Sequence, residues 1–319
     1  MKLAVLFPGQ GSQYIGMGQE FIEKDNEYKE LMAMAEAACD LNLNRLCGEG
    51  PLEDLTRVAN LQPAITITNL ICWHAFLKDG GDEFNVNCFA GHSLGEYSAL
   101  YGAGVLNAED TLKLVSKRGM LMEREGTANP GGMRAVLGLS VEEIEEVIGG
   151  CDKCGVVTAA NHNTPLQTVI SGDIEGLDAV TALVEEKGAR VIPLNVSVAN
   201  HSPLVAGAVP DFAEYMEKIE FKTPNVPVYF NVSAEQEKDT GKIKSMMARQ
   251  IASRVRWCEI IQSMLAEGID TFIEVGPKSV LKGMMRKIVP RGKKVTALQF
   301  DSPGSLEACL EKLRTCAAA

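Results

Sequence analysis

The sequence predicts an α/β protein in which a small unit is inserted into a larger domain built on a mostly parallel sheet. Short apolar strands alternate with helices at both ends of the 319-residue chain, and the segment between them has the order β-α-β-β-α-β. A serine between two glycines also follows an apolar strand, at the turn into a helix. We therefore expect an α/β-hydrolase-like catalytic subdomain over 1–125 and 199–319, with a ferredoxin-like subdomain inserted over 126–198.

The elements of the first part of the chain follow from apolar patterning. Short apolar runs predict strands over Leu3–Phe7 and Phe84–Ala90. Helical spacing predicts helices over Leu94–Gly104 and Ala108–Arg124. The turn-rich stretch Gly126–Gly132 then marks the linker into the inserted unit.

The inserted unit is expected to have four strands and two helices. Its helices begin after the capping residues Ser140 and Asp173, and Asn161–Pro165 is expected to be a loop between the middle strands. The four strands are predicted at Met133–Leu139, Val156–Ala160, Gln167–Ser171 and Arg190–Val196. Beyond the unit, the large domain resumes with strands Val226–Asn231 and Thr271–Val275 and a helix Ile251–Glu267.

Charge and cysteine content limit the classes of function. The net charge of −11 argues against broad nucleic-acid binding, and no apolar run approaches the roughly 20 residues of a membrane span. The nine cysteines are odd in number and scattered, which favours a reducing cytoplasm. Cys151 and Cys154 form a lone C-x-x-C without a second pair, so we expect solvated loop thiols and no zinc site.

One segment departs from this acidic balance. Between 278 and 294 there are seven basic residues and no acidic one: Lys278, Lys282, Arg286, Lys287, Arg291, Lys293 and Lys294. The first three are four residues apart, so on a helix they would share one face. That face is either simply solvated or a docking patch for an acidic partner.

Ser93, in Gly91-His92-Ser93-Leu94-Gly95, is the candidate nucleophile. A serine on so tight a turn has an exposed hydroxyl, and the next backbone N–H can stabilise an oxyanion beside it. The chain has four histidines. His201 is the preferred base because it lies where the chain returns to the large domain, downstream of the serine. His162 is a weaker candidate for lining the cleft.

A second glycine-rich turn, Phe7–Gln13, follows the first strand. It does not match a dinucleotide-binding turn, because the third glycine position is Tyr14. Close backbone approach to the site is the better interpretation, with the N–H of Gln10 as a second oxyanion donor. Arg118, taken alone, is expected to be a surface residue of its helix.

Several motifs together resemble the malonyl-CoA:acyl carrier protein transacylases of fatty-acid and polyketide synthesis. The resemblance covers nearly the whole chain and is carried by eight short segments at 7–13, 61–64, 91–97, 118–119, 161–163, 201–203, 226–228 and 274–277. It implies Ser93 as nucleophile, His201 as general base, and an oxyanion hole from the N–H groups of Gln10 and Leu94. It also implies that the carbonyl of Gln250 orients His201, with no acidic third member.

The resemblance further implies the substrates. Arg118 would hold the free carboxylate of a malonyl group bidentately. Malonyl-CoA and a phosphopantetheinylated acyl carrier protein would be the substrates, with no bound metal or cofactor. The carrier protein would dock on Lys278, Lys282, Arg286 and Lys287.

Two departures from the family pattern leave details open. Asn200 precedes His201 where malonyl-selective relatives often differ, so strict choice of malonyl over methylmalonyl is not fixed, and Asn161, His162 and Asn200 are only possible pocket residues. Arg134 occupies a position that is usually small or apolar. A serine thioesterase or esterase, a freestanding transferase of a polyketide assembly line, and a non-catalytic carrier-binding protein are the alternatives considered.

Overall fold

A computed structural model describes residues 1–151, 154–196 and 198–318. Its strands are β1 Leu3–Phe7, β2 Val86–Gly91, β3 Gly132–Leu137, β4 Val157–Thr164, β5 Gln167–Gly172, β6 Arg190–Pro193, β7 Val228–Tyr229, β8 Thr271–Val275 and β9 Thr296–Phe300. Its helices are α1 Gln19–Lys24, α2 Asn26–Cys39, α3 Leu43–Gly48, α4 Leu52–Thr56, α5 Val58–Lys78, α6 Gly95–Gly102, α7 Ala108–Ala128, α8 Val141–Gly149, α9 Ile174–Glu186, α10 Ala208–Met216, α11 Thr240–Gln250, α12 Trp257–Ala266, α13 Val280–Ile288 and α14 Pro303–Ala318.

The larger sheet is parallel throughout its described strands. Their order is β7-β2-β1-β8-β9, and β1 at the centre is buried on both faces. A continuous apolar strand covered by helices on both sides is typical of such a sheet. The carboxyl ends of β7, β2, β1 and β8 therefore meet along one edge, which is where ligands bind in open α/β sheets.

The smaller sheet is antiparallel, with strand order β4-β5-β3-β6. Helices α8 and α9 pack on one of its faces through an apolar cluster that includes Val136, Ile144 and Val180. Ser140 forms a capping box with Glu143, as predicted. The predicted fold class, with a parallel sheet and an inserted β-α-β-β-α-β unit, is confirmed. The boundaries at residues 126 and 199 stay predictions.

Some predicted elements differ in extent. The expected loop after Ala160 is part of β4, which continues to Thr164 through two irregular steps in its register. The predicted helix from Ile251 begins only at Trp257, because α11 ends immediately before Ile251 and a short irregular segment follows. Strand β9 was not predicted.

Strand β4 also joins the two parts of the fold. Backbone hydrogen bonds run from Val255 N–H to the Ala160 carbonyl at 2.8 Å and from His162 N–H to the Val255 carbonyl at 2.9 Å. Arg254 adds a bond from Nε to the Ala159 carbonyl at 2.8 Å. The edge of the smaller sheet is thus bonded directly to a segment of the large domain.

Arg134 and the pair Cys151 and Cys154 have structural roles. Arg134 donates to Thr181 Oγ1 at 2.8 Å and pairs with Asp178 at 2.5 Å, so it fastens α9 to the sheet. Cys151 and Cys154 are bonded as a disulfide and Cys154 is buried, so the expectation of two solvated thiols is wrong. No helix among the described residues has the length and apolar character needed to cross a membrane.

Candidate active site

Ser93 lies on the tight turn between β2 and α6. Its φ is +49°, a left-handed conformation that few residues other than glycine adopt. The flanking glycines are required because the turn packs against its own helix and against β1. A Cβ on Gly91 would lie 1.9 Å from the carbonyl carbon of Gly95, and one on Gly95 would lie 2.1 Å from the Phe7 oxygen.

The hydroxyl of Ser93 faces His201. The distance from Ser93 Oγ to His201 Nε2 is 2.7 Å. On the other side of the ring, Nδ1 lies 3.0 Å from the carbonyl oxygen of Gln250 and 2.9 Å from that of Ser253. Carbonyl oxygens only accept, so Nδ1 carries the proton and Nε2 is free to accept from Ser93. No carboxylate of the described residues contacts this ring.

The electrostatic environment keeps His201 neutral. Burial lowers its pKa to about 3, and the positive charge of Arg118 acts in the same direction. A neutral imidazole is the form that can take a proton from a hydroxyl. The ring is therefore held in its basic form across the physiological range of pH.

Arg118 is almost completely buried, with 1% of its surface exposed, so the expectation of a surface helix residue is wrong. Nη1 donates to Gln62 Oε1 at 2.9 Å. Nη2 donates to Gln250 Oε1 at 3.0 Å and to Ser93 Oγ at 3.2 Å. Within the described chain, no carboxylate lies within ion-pairing distance of this guanidinium. The site thus holds a buried cation beside the nucleophile, oriented only by neutral groups.

A cavity of about 320 Å³ opens beside these groups, between the two sheets. Gln10, Ser93, Leu94, Arg118 and His201 line one side of it. In the described structure, the backbone N–H groups of Gln10 and Leu94 donate to no protein acceptor. Two free N–H groups beside a serine hydroxyl can bind a developing oxyanion.

The opposite wall of the cavity comes partly from the smaller sheet. Asn161 and Asn200 line it, and the Oδ1 atom of each has no hydrogen-bond partner in the described part of the chain. His162 does not line it. Because alternate residues of a strand face opposite ways, its ring points toward α12, with Nδ1 3.0 Å from Glu259 Oε2. The suggestion that His162 lines the pocket is therefore wrong.

Several functional neighbours were not singled out from the sequence. Asn231 accepts from the Ser93 N–H at 2.7 Å and donates to the Gly91 carbonyl at 2.8 Å, so it fixes the turn. Asn163 holds His92 at 2.8 Å. Asn163 lies within a motif that carried the family resemblance, which was a usable signal. Ser253 acts only through its backbone, and no sequence signal could have revealed it.

Glu96 is a buried carboxyl directly beneath the site. Oε1 accepts from the Asn231 backbone N–H at 2.6 Å, and Oε2 accepts from the Gln250 side-chain amide. Burial raises the pKa of Glu96 to about 8, although both donors favour the carboxylate. Through these two contacts it is connected to the groups that hold Ser93 and Arg118.

The basic segment lies at the edge of the same cavity. Helix α13 begins only at Val280, so Lys278 lies outside it and only Lys282 and Arg286 share a helical face. Val280, together with Leu281 and Met284, lines the cavity. In the described structure none of the seven basic residues forms an ion pair, although Lys293 donates to the Leu265 carbonyl at 2.6 Å. The described residues also contain no cluster of His, Cys, Asp or Glu able to hold a metal ion.

Comparison with known proteins gives a consistent result. The profile of the acyl transferase domain family matches residues 5–299. The malonyl CoA-acyl carrier protein transacylase of Bacillus subtilis is 38% identical over 315 residues, covering 98% of each chain. The crystal structure of a malonyl CoA-acyl carrier protein transacylase from Clostridium perfringens has a TM-score of 0.92 and 37% identity, covering 100% of this chain and 99% of that one.

A further similar structure is a complex of a type II PKS acyl-carrier protein with its malonyl-transacylase. It has a TM-score of 0.93 and 32% identity, and covers 98% of this chain and 100% of the matched chain.

Proposed function

This chain belongs to the malonyl CoA-acyl carrier protein transacylase family of acyltransferases, and on that premise we propose that it moves a malonyl group from malonyl-CoA to the phosphopantetheine thiol of an acyl carrier protein through an acyl-Ser93 intermediate. The observation that carries this proposal is the position of Ser93 Oγ, which is 2.7 Å from His201 Nε2 and 3.2 Å from Arg118 Nη2. A base and a carboxylate-binding cation thus meet at one hydroxyl.

In the first half-reaction, Ser93 attacks the carbonyl carbon of the thioester. Its proton passes to His201 Nε2, while the carbonyls of Gln250 and Ser253 hold the Nδ1 proton and stabilise the imidazolium. Collapse of the tetrahedral intermediate breaks the C–S bond, and the Nε2 proton leaves with the thiol of coenzyme A. Malonyl-Ser93 remains, and His201 is neutral again.

The developing oxyanion would be bound by the N–H groups of Gln10 and Leu94. Both line the cavity and are free to donate. A donor of this kind contributes on the order of 3 kcal/mol to transition-state stability. Carbonyl oxygens stabilise the imidazolium of His201 less than a carboxylate would, but a thioester is already activated toward attack.

Arg118 would bind the free carboxylate of the malonyl group. A guanidinium offers two parallel N–H donors that match a carboxylate, and this one has no anionic partner of its own among the described residues. An acetyl group would leave the buried cation unpaired, which disfavours acetyl-CoA as donor.

In the second half-reaction, the pantetheine thiol of the carrier protein takes the place of coenzyme A. His201 removes the thiol proton, the sulfur attacks malonyl-Ser93, and Nε2 returns the proton to Ser93 Oγ as the ester bond breaks. Carrier proteins are typically acidic, and we assign their docking to Lys282, Arg286 and Lys287 of α13, with Lys278 just before it. Val280, Leu281 and Met284 of this helix line the cavity, so a carrier protein docked there would hold its prosthetic arm beside the cavity.

Intact-protein mass spectrometry after brief incubation with malonyl-, methylmalonyl- and acetyl-CoA tests the proposal. We expect a malonyl adduct on Ser93, little acetyl adduct, and no adduct in Ser93→Ala. The methylmalonyl sample measures how far the site around Asn200 admits a branched α-carbon. Release of coenzyme A without an adduct would indicate a thioesterase, and the transferase proposal would be withdrawn.

A further inference from the structure

Glu96 is buried beneath the site and touches neither the cavity nor Ser93 Oγ. It lies in the first turn of α6 with 1% of its surface exposed. Each carboxylate oxygen faces one donor. Oε1 accepts from the backbone N–H of Asn231, and Oε2 accepts from the side-chain amide of Gln250. An environment with a donor at both oxygens suits a group that only accepts, which is an ionised carboxylate.

The Gln250 amide connects this carboxylate to Arg118. Its Nε2 donates to Glu96 and also to the Ser93 carbonyl at 2.9 Å, while its Oε1 accepts from Arg118 Nη2 at 3.0 Å. A side-chain amide can turn over and exchange its oxygen and nitrogen. Here both partners of Nε2 are pure acceptors, so they fix the amide with its oxygen toward Arg118.

The amide has a further consequence for the charge of Arg118. A carboxylate in the place of the Gln250 oxygen would form a buried ion pair with the guanidinium and would compete with any substrate carboxylate. A neutral amide oxygen instead fixes the direction of Nη2 and leaves the positive charge without an anionic partner. At a pH above its pKa of about 8, Glu96 is ionised and supplies negative charge one residue away, where it favours a charged Arg118 without neutralising it by contact.

We propose that Glu96 is a positioning residue for acyl-group selectivity: its carboxylate fixes the Gln250 amide, and the amide oxygen aims the Arg118 guanidinium at the acyl site beside Ser93. The inference deepens the proposed function and rests on it, because it concerns the group that would bind the malonyl carboxylate.

The test is Glu96→Gln, assayed by the rates of malonyl- and acetyl-adduct formation on Ser93. The new amide must turn its NH₂ toward either the Asn231 N–H or the Gln250 NH₂, so one of the two donors loses its acceptor. In either orientation the Gln250 amide no longer donates to a carboxylate, and its position is less firmly fixed. Measurements at pH 8.5 are suitable because burial raises the pKa of Glu96 to about 8. We expect the malonyl rate to fall about tenfold or more while the acetyl rate changes little.

Glu274→Gln is the matched control. Glu274 is also 1% exposed, and its carboxylate also accepts from two donors, the backbone N–H groups of Leu281 at 3.0 Å and Lys282 at 2.9 Å. It has no connection to Arg118 through Gln250, so the ratio of malonyl to acetyl rates should match the wild type. Equal losses of both rates in Glu96→Gln, or the same change of ratio in the control, would overturn the proposal.

A second variant covers the case in which Glu96→Gln does not fold. Gln250→Glu places a carboxylate against Arg118 Nη2 and keeps the backbone carbonyl that holds His201. This variant should lose malonyl acylation selectively. An unchanged malonyl rate would contradict the positioning of Arg118 by the Gln250 amide. Arg118→Ala in the same assay distinguishes failure of the proposed function from failure of the role of Glu96. If the ratio of malonyl to acetyl rates in Arg118→Ala equals that of the wild type, Arg118 does not bind the malonyl carboxylate, and the proposed role of Glu96 is rejected as well. If this ratio falls in Arg118→Ala but not in Glu96→Gln, only the role of Glu96 is rejected.

Discussion

Arg118 donates a hydrogen bond to Ser93 across 3.2 Å, so the group expected to select the acyl chain and the group expected to attack it are already in contact. The Ser93 hydroxyl donates to His201 and accepts from Arg118, which leaves its oxygen with a fixed orientation. A cation at this distance also stabilises the negative charge that grows on Oγ as the proton leaves. Selectivity and reactivity are therefore not independent at this site.

Arg118→Ala should remove malonyl transfer far more than acetyl transfer. Losing charged hydrogen bonds to a substrate carboxylate costs several kcal/mol, so we expect the malonyl acylation rate to fall on the order of 100-fold. The acetyl rate should fall much less, since acetyl has no carboxylate to bind. Stopped-flow acylation with each thioester measures both rates. Equal falls in the malonyl and acetyl acylation rates would show that Arg118 has only a structural role.

The reactivity of Ser93 should survive acidification. The lowered pKa of His201, about 3, means that the imidazole stays neutral and basic as the pH falls through 6.5. For a histidine with the ordinary pKa of about 6.5, the neutral fraction of the imidazole at pH 5 would be only about one thirtieth. We expect the rate constant for modification of Ser93 by an uncharged sulfonyl fluoride to change less than about threefold between pH 7 and pH 5. A decline with its midpoint near pH 6.5 would contradict the neutral, buried ring.

Reversing the charges of Lys282 and Arg286 to Glu should weaken carrier-protein docking. Both lie on one face of α13 at the edge of the cavity. We expect KM for the carrier protein to rise about fivefold or more at low ionic strength and the effect to shrink in salt, with KM for malonyl-CoA unchanged. Lys218→Glu with Lys222→Glu is the matched control, because these exposed lysines are also four residues apart and do not line the cavity. Equal changes in the KM values for the carrier protein and for malonyl-CoA would show that the carrier protein docks on another surface.

The turn that carries Ser93 should not tolerate a methyl group. In Gly91→Ala the new Cβ would lie 1.9 Å from a backbone atom of Gly95, so β2 or α6 must shift. We expect the free energy of unfolding to fall by about 3 kcal/mol. Gly283→Ala is the contrasting change, since Gly283 is in α13 with nothing within 4 Å of the added atom. It should raise the free energy of unfolding by up to about 1 kcal/mol. Urea titration of both variants measures the two free energies of unfolding. A value for Gly91→Ala equal to that of the wild type would show that the turn can relax.

The sequence predicted the parallel sheet and the inserted unit because their patterns are local. A short apolar strand such as β1 and a capping residue such as Ser140 are visible in a few consecutive positions. The same holds for Ser93, whose flanking glycines lie two residues away on each side. Strand β4 was predicted too short because its end contains Asn161 and Asn163, polar residues that normally favour turns.

The remaining parts of the site depend on contacts between distant segments. Arg118 lies on the same face of α7 as apolar residues such as Leu114 and Met122, but its partners come from α5, α11 and the turn of Ser93. The role of Asn231 depends on β7 lying beside β2, which pairs residues about 140 positions apart. A single sequence does not contain the strand order, so a group that meets Ser93 only through that order could not be derived from it.

The backbone bonds between β4 and Val255 bear on how successive substrates exchange. Asn161, on the cavity wall, sits between the two bonded positions, Ala160 and His162. Swinging the inserted sheet away from the large domain at this strand would break both bonds. In the transfer proposed above, the exchange of coenzyme A for the carrier arm would therefore either leave this strand in place or cost both backbone hydrogen bonds.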